Sequence, residues 1–180
     1  MKTIIFVPLK DYYQSRRHIG MKYLIPALIS LLALTVVLIF NVGDAVSVKS
    51  AFSEFINTQI NVVAILISFS VAIISILMTA DSENIKSLKK EKAETSQYKT
   101  IAGKQLSLFQ VLLSNIAYNV IIEIIYLVTL LGISLIQLII PLTILKYFAT
   151  LCIFFILHIL GVLLESVAQM YLTFWSNRES

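Results

Sequence analysis

Cysteine occurs once in this 180-residue chain, at Cys152. A single thiol excludes an intramolecular disulfide and a cysteine-rich metal site, and its position inside an apolar run suits a small buried filler. Glycine is scarce as well, with five residues. No glycine loop able to cradle a phosphate is present, and neither is an HExxH or GxSxG pattern. Charged residues make up 13% of the chain, about half the share of an ordinary soluble domain. The long apolar runs contain no aspartate, which removes the paired-aspartate intramembrane proteases, and no polar stretch is large enough to hold a substrate. The expectation is a protein that is not an enzyme and carries no cofactor and no metal.

What the chain has instead is apolar bulk. Hydrophobic residues supply 58% of it and the mean hydropathy is +0.90, values that predict an integral membrane protein. Four runs are long enough to cross a hydrocarbon layer of about 30 Å at about 1.5 Å per residue: Tyr23 to Val42, Gln59 to Thr79, Leu106 to Leu135, and Leu142 to Leu164 with helix continuing to about Trp175. They lack the alternating polar face of a barrel strand and must satisfy their backbone internally, so the fold class is all-α, with four transmembrane helices in one membrane domain over residues 1–180. Gly43, Asp44 and Ala45 resemble a signal-peptide cleavage site. The basic region before the first run and the length of that run favour a retained span.

The basic residues predict an orientation. Lys2, Lys10, Arg16, Arg17 and Lys22 precede the first run, Lys86, Lys89, Lys90, Lys92, Lys99 and Lys104 lie between the second and third, and Arg178 follows the fourth. The other connections hold only Lys49 and Lys146. Twelve against two places both termini and the middle connection in the cytoplasm. Tyr12, Tyr13 and Tyr23, and Tyr171, Phe174 and Trp175, are placed as interfacial aromatics.

Residues 1–21 break at Pro8 and become basic and aromatic, as expected of a segment lying on the lipid surface. It is too short and too near the bilayer for direct nucleic-acid binding to be preferred. Val46, Val48, Ala51, Phe52 and Phe55 have the spacing of a short amphipathic helix outside the membrane. The connection 81–104 reads as a solvated helical extension, and Lys86, Lys89, Lys90, Lys92, Arg16 and Arg17 are its candidate surface for docking a cytoplasmic protein.

Polar residues recur within the runs. Asn57, Asn61, Ala64, Ser68, Ala72, Ser75 and Thr79 fall on one helical face, either a packing seam or, in a symmetric oligomer, a pore lining. Asn115, Asn119 and Glu165 extend such a seam onto the third and fourth runs. Glu123 and His158 each stand about seventeen residues from Pro141. If the chain folds back there, both lie near mid-membrane, where insertion of an ionised side chain costs roughly 2.5 to 3.5 kcal/mol. They form a structural hydrogen bond, a proton- or ion-linked switch, or part of a metal site that lacks the further ligands zinc needs.

The stretch FINTQINVVAILISFSVAIISILMTADSENIKSLKK, a small-residue span entering a lysine-rich helix, resembles the small four-span membrane proteins of prokaryotic antiphage defence operons, the Kiwa membrane components among them. That resemblance implies a homo-oligomer of the prokaryotic inner membrane that senses membrane perturbation and signals to a soluble partner at the inner face; it carries no motif that assigns residues. The functional expectation is a membrane sensor or scaffold. A pore-forming effector that depolarises the cell is the alternative, and a proton-coupled transporter is disfavoured because no inverted repeat or broken helix is evident.

Overall fold

The computed structural model describes residues 6–40, 45–93, 97–100 and 104–176. Among them are six helices: α1 (Val7–Ser15), α2 (Ile19–Phe40), α3 (Ala45–Thr79), α4 (Glu83–Lys90), α5 (Leu108–Ile136) and α6 (Leu142–Ser176). The described residues contain no strand beyond two isolated antiparallel bridges, Arg16 with Tyr98 and Lys92 with Ser107. Four helices, α2, α3, α5 and α6, are long and apolar enough to cross a membrane. Gly43 and Asp44 of the cleavage-site lookalike, Arg178, and the side chains of Phe174 and Trp175 lie outside the description.

Local chemistry sets most boundaries. Pro8 occupies the first turn of α1, where its missing N–H costs no hydrogen bond, so it starts a helix rather than breaking a segment. Ser82 caps α4 by accepting from the Ile85 backbone N–H at 3.3 Å. Ser107 and Gln110 form a reciprocal capping box before α5: the Ser107 N–H donates to Gln110 Oε1 at 3.0 Å, and the Gln110 N–H to Ser107 Oγ at 3.2 Å. At α6 the carbonyl of Pro141 accepts from the Ile144 N–H at 2.9 Å. The short external helix expected near Val46 is instead the first turns of α3, whose 35 residues extend about 52 Å. Nothing between Phe55 and Gln59 breaks its backbone, because that segment lacks glycine and proline.

Packing divides the chain into two compact units. The first comprises residues 1–19, 68–122 and 160–180. Its core joins Ile73 and Leu77 of α3, Ile85 and Leu88 of α4, and Leu112 and Ile116 of α5. A second cluster sets Tyr12 against Tyr118 and Val162. The connection is thus more than a solvated extension: α4 buries Ile85 and Leu88 while Lys86, Lys89 and Lys90 stay exposed. Beyond α4 the chain turns back, with the Ala93 N–H donating to the Leu106 carbonyl at 2.9 Å and the Leu108 N–H to the Glu91 carbonyl at 3.0 Å.

The second unit comprises residues 20–67 and 123–159. Tyr126 donates its hydroxyl to the Cys152 carbonyl at 3.0 Å and stacks on Phe155. Gln137 donates to Ser53 Oγ at 3.3 Å, and Lys49 Nζ donates to the Leu138 carbonyl at 3.2 Å, a cation on the carbonyls that end α5. Cys152 is buried. Along α2 the residues Leu24, Ile25, Leu28, Leu31, Leu32 and Ile39 are all exposed, an apolar surface suited to lipid and not to water.

The small-residue face of α3 is exposed among the described residues. Asn57, Asn61, Ala64, Ser68, Ala72, Ser75 and Thr79 are all exposed. In the second unit α3 instead buries Phe52, Ile56 and Val63, and in the first Ser70, Ile73 and Leu77. Bulky side chains carry this packing because they gain the most van der Waals contact. Hydroxyls on the exposed face are satisfied by their own helix, Ser75 donating to the Val71 carbonyl at 2.9 Å and Thr79 to the Ser75 carbonyl at 2.7 Å. Asn61, Ala64, Ser68, Ala72 and Ser75, read from the sequence as a packing seam or a pore lining, thus stand on an exposed face of α3.

Candidate functional site

Arg16 follows the last residue of α1 and is 3% exposed. A buried guanidinium requires compensation, and it has an unusual amount. Its Nη1 donates to both carboxylate oxygens of Glu165 on α6, at 2.8 and 3.0 Å. Its Nη2 donates to Oδ1 of Asn115 on α5. The guanidinium carbon lies 4.2 Å from the Tyr12 ring centre and 5.7 Å from that of Tyr98, so both contacts fall within cation–π range.

A shell of polar groups closes around this pair. Tyr98 donates its hydroxyl to Glu165 Oε1 at 3.3 Å, and Gln169, one helical turn beyond Glu165, donates to that same oxygen at 3.2 Å. Gln169 also donates to the Tyr98 hydroxyl and accepts from Asn115 Nδ2 at 3.2 Å. The backbone adds two bonds: the Arg17 N–H donates to the Gln97 carbonyl at 3.1 Å, and the Lys99 N–H to the Ser15 carbonyl at 2.7 Å. Burial, supplemented by the neighbouring Glu165 carboxylate and only partly opposed by Arg16, pushes the Tyr98 hydroxyl up to about 12. Tyr98 is thus a neutral donor at any physiological pH.

All these residues belong to the first unit. They fasten α1 and the chain at residues 97–99 to α5 and α6, and their chemistry is that of a latch: charge-assisted bonds and deep burial. Arg16 is therefore removed from the docking surface proposed for it, because its charge is spent inside the protein. Arg17 is exposed, as are Lys86, Lys89, Lys90 and Lys92. Lys86 pairs with Asp81 at 3.2 Å and Lys89 lies 5.1 Å over the Phe109 ring. Asn115 and Glu165, expected on a seam, belong to the latch, and Asn119 is buried at 1% exposure.

Glu123 and His158 are both buried, at 0% and 3% exposure, and both belong to the second unit. The His158 ring stacks on Tyr23 with centroids 4.5 Å apart, and parallel to Phe154 at 6.3 Å. Burial of both groups in one unit motivates a double-mutant cycle. Glu123→Gln and His158→Gln are expected to be non-additive in thermal stability, with a coupling of roughly 0.5 to 3 kcal/mol. Additive losses would show that the two groups act separately.

Tyr98 escaped the sequence reading, and Tyr12, expected as an interfacial aromatic, is buried beside Arg16 instead. One signal pointed toward the cluster: Glu165 is the sole acid of the α6 sequence, and an acid so placed needs a cation.

Four apolar helices of spanning length, with a broad exposed apolar surface, are the marks of a multi-pass membrane protein. No protein-family model, curated protein or solved structure matches the chain.

Proposed function

We propose that this chain is a non-enzymatic, oligomeric sensor or scaffold of a prokaryotic inner membrane, with both termini and the 81–104 connection on the cytoplasmic face, recruiting a soluble protein through the lysine face of α4. The observation that carries this reading is the buried Arg16–Glu165 latch. It joins the N-terminal helix to two apolar helices and to the chain beyond α4, so a disturbance of the lipid around α1 has a mechanical route to α4. The lysines face outward from a helix anchored by Ile85 and Leu88, which gives a partner a fixed cationic platform. The sequence resemblance to antiphage defence membrane proteins supplies the setting.

The test is co-purification from the native operon in mild detergent, with oligomeric mass and co-eluting proteins measured together. Reversing Lys90 and Lys92 to Glu is expected to reduce recovery of a soluble partner at least about tenfold while insertion and oligomeric mass stay unchanged. Lys89 is less diagnostic, because its reversal also removes the contact with Phe109. Partner recovery equal to that of the parent would defeat the docking reading.

A pore is the second reading, favoured by the exposed polar face of α3 through Asn61, Ser68 and Ser75. In a symmetric oligomer that face meets either a neighbouring copy or an aqueous path. Ion leakage from liposomes that changes with bulk at Ser68 or Ala72 would support it over the scaffold.

A further inference from the structure

α1 has two faces of different chemistry. Tyr12 and Ser15 are buried, and Tyr12 packs on Tyr118 of α5 and Val162 of α6. On the other side, Lys10 lies three residues from Val7 and Tyr13 and four from Gln14, so these side chains share one face, and all four are exposed. Phe6, just before the helix, and Arg17, just after Arg16, are exposed as well. Two aromatic rings, an aliphatic group and two cations thus stand outside the core.

Where α1 docks decides what that face meets. Tyr118 stands ten residues inside α5 from Leu108, and Val162 nine residues inside the apolar span of α6 that ends at Tyr171, about 15 Å and about 13 Å along the two axes. α1 therefore lies alongside two spans rather than beyond their ends, and around spans of this hydropathy its outer face is turned to lipid. Water would suit the two bases but not Phe6, Val7 and Tyr13. The headgroup layer accommodates all five, with apolar groups at the acyl boundary and bases at the phosphates.

Charge then selects the lipid. Among the described residues no ion pair engages Lys10 or Arg17. Asp11, the only acid of α1, lines the groove against α5 together with Pro8 and Ser15. Arg16 is neutralised by Glu165, which leaves the outer side of this segment cationic.

We propose that the outer face of α1, with Phe6, Val7, Lys10, Tyr13 and Arg17, is a docking surface for anionic phospholipid, its two bases on lipid phosphates and its apolar groups among the first acyl carbons. The inference rests on the reading above in placing α1 at a membrane face, and it needs no soluble partner. It names the lipid that the latch reports: anionic headgroups hold α1 from outside while Glu165 holds Arg16 from within.

The experiment uses the full chain with a fluorophore on Gln14→Cys in a Cys152→Ala background, reconstituted in phosphatidylcholine bilayers. These carry a few per cent of nitroxide-labelled phosphatidylglycerol or, in parallel, of nitroxide-labelled phosphatidylcholine as a short-range quencher. A base beside an anionic lipid surface strengthens association roughly fivefold. Phosphatidylglycerol is accordingly expected to quench as if at least about fivefold enriched over the choline lipid. Lys10→Gln with Arg17→Gln, both at exposed positions, should bring the two lipids level, whereas Lys90→Gln with Lys92→Gln should leave the preference in place.

Equal quenching by the two lipids in the parent would overturn the proposal, since the face would then sit in lipid without selecting its charge. A preference that survives Lys10→Gln with Arg17→Gln, or that vanishes with Lys90→Gln and Lys92→Gln, would overturn it by assigning the selection elsewhere. Quenching by neither lipid would mean that the face meets water or another protein, and would remove the membrane placement of α1 as well. Partner recovery after lysine reversal tests docking at α4 separately, so the two failures are told apart.

Discussion

Glu165→Leu is expected to destabilise the first unit by about 3 kcal/mol, the largest effect of any polar substitution in this protein. The magnitude follows from an asymmetry in exposure: the Arg16 side chain is 2% exposed and that of Glu165 23%. Removing the carboxylate strands a guanidinium that cannot reach water and keeps Asn115 as its remaining strong acceptor. Removing the arginine strands a carboxylate that is already partly hydrated and still accepts from Tyr98 and Gln169. Arg16→Met should therefore cost less than Glu165→Leu. The double variant should recover most of the loss, since replacing both members of a buried pair by apolar groups of similar size is often close to neutral.

Two measurements check this. Thermal unfolding in detergent gives the stability order of the two single variants and the double. Limited trypsin digestion gives the local consequence, because Arg17 is exposed while its backbone N–H is tied to Gln97. A loss of about 3 kcal/mol corresponds to a rise of roughly a hundredfold in the open population that the protease samples. Cleavage rates in Glu165→Leu equal to those of the parent would mean that the pair does not hold α1 down.

Tyr12→Ala carries the second large effect, a loss of about 3 to 5 kcal/mol. The Tyr12 ring is fully buried and stacks face to face on Tyr118, with centroids 3.7 Å apart and planes within 5°. It also lies beneath the Arg16 guanidinium. Truncation thus removes apolar area, a ring pair and a cation–π contact together. Tyr12→Phe keeps all three and should cost less than about 1.5 kcal/mol.

The adjacent Tyr13 supplies the control. It is 47% exposed and meets Tyr12 and Tyr118 edge-on, so Tyr13→Ala should cost about 1 kcal/mol or less. Both effects are read by the thermal and proteolytic assays already described. Equal losses at the two tyrosines would show that α1 does not dock by the Tyr12 face.

If the latch is the sensing element, these variants also separate stability from signalling. Glu165→Leu and Tyr12→Ala both release α1, but neither touches Lys90 or Lys92. A partner that binds the lysine face should remain bound while its response to membrane disturbance becomes constitutive.

The apolar runs were legible in the sequence. The fourth run starts at Leu142, as α6 does, the second ends at Thr79, as α3 does, and the third, read from Leu106 to Leu135, is α5 from Leu108 to Ile136. These are local quantities. Spanning length is a sum of side-chain transfer free energies over about twenty residues, and Ser82 and Ser107 act on backbone groups within three positions.

Tertiary structure decided which faces meet. Helical periodicity places Asn61, Ala64, Ser68 and Ala72 on one side of α3 but says nothing of what that side faces, and the fold exposes them while burying Ile56, Val63, Ile73 and Leu77. The latch was beyond sequence for the same reason. Arg16 and Glu165 stand 149 positions apart, and nothing in either neighbourhood names the other. Many cations in the chain could have answered the lone acid of α6. Arg16 does so because Tyr12 seats α1 against Tyr118 and Val162, a contact that exists only once the helices have packed.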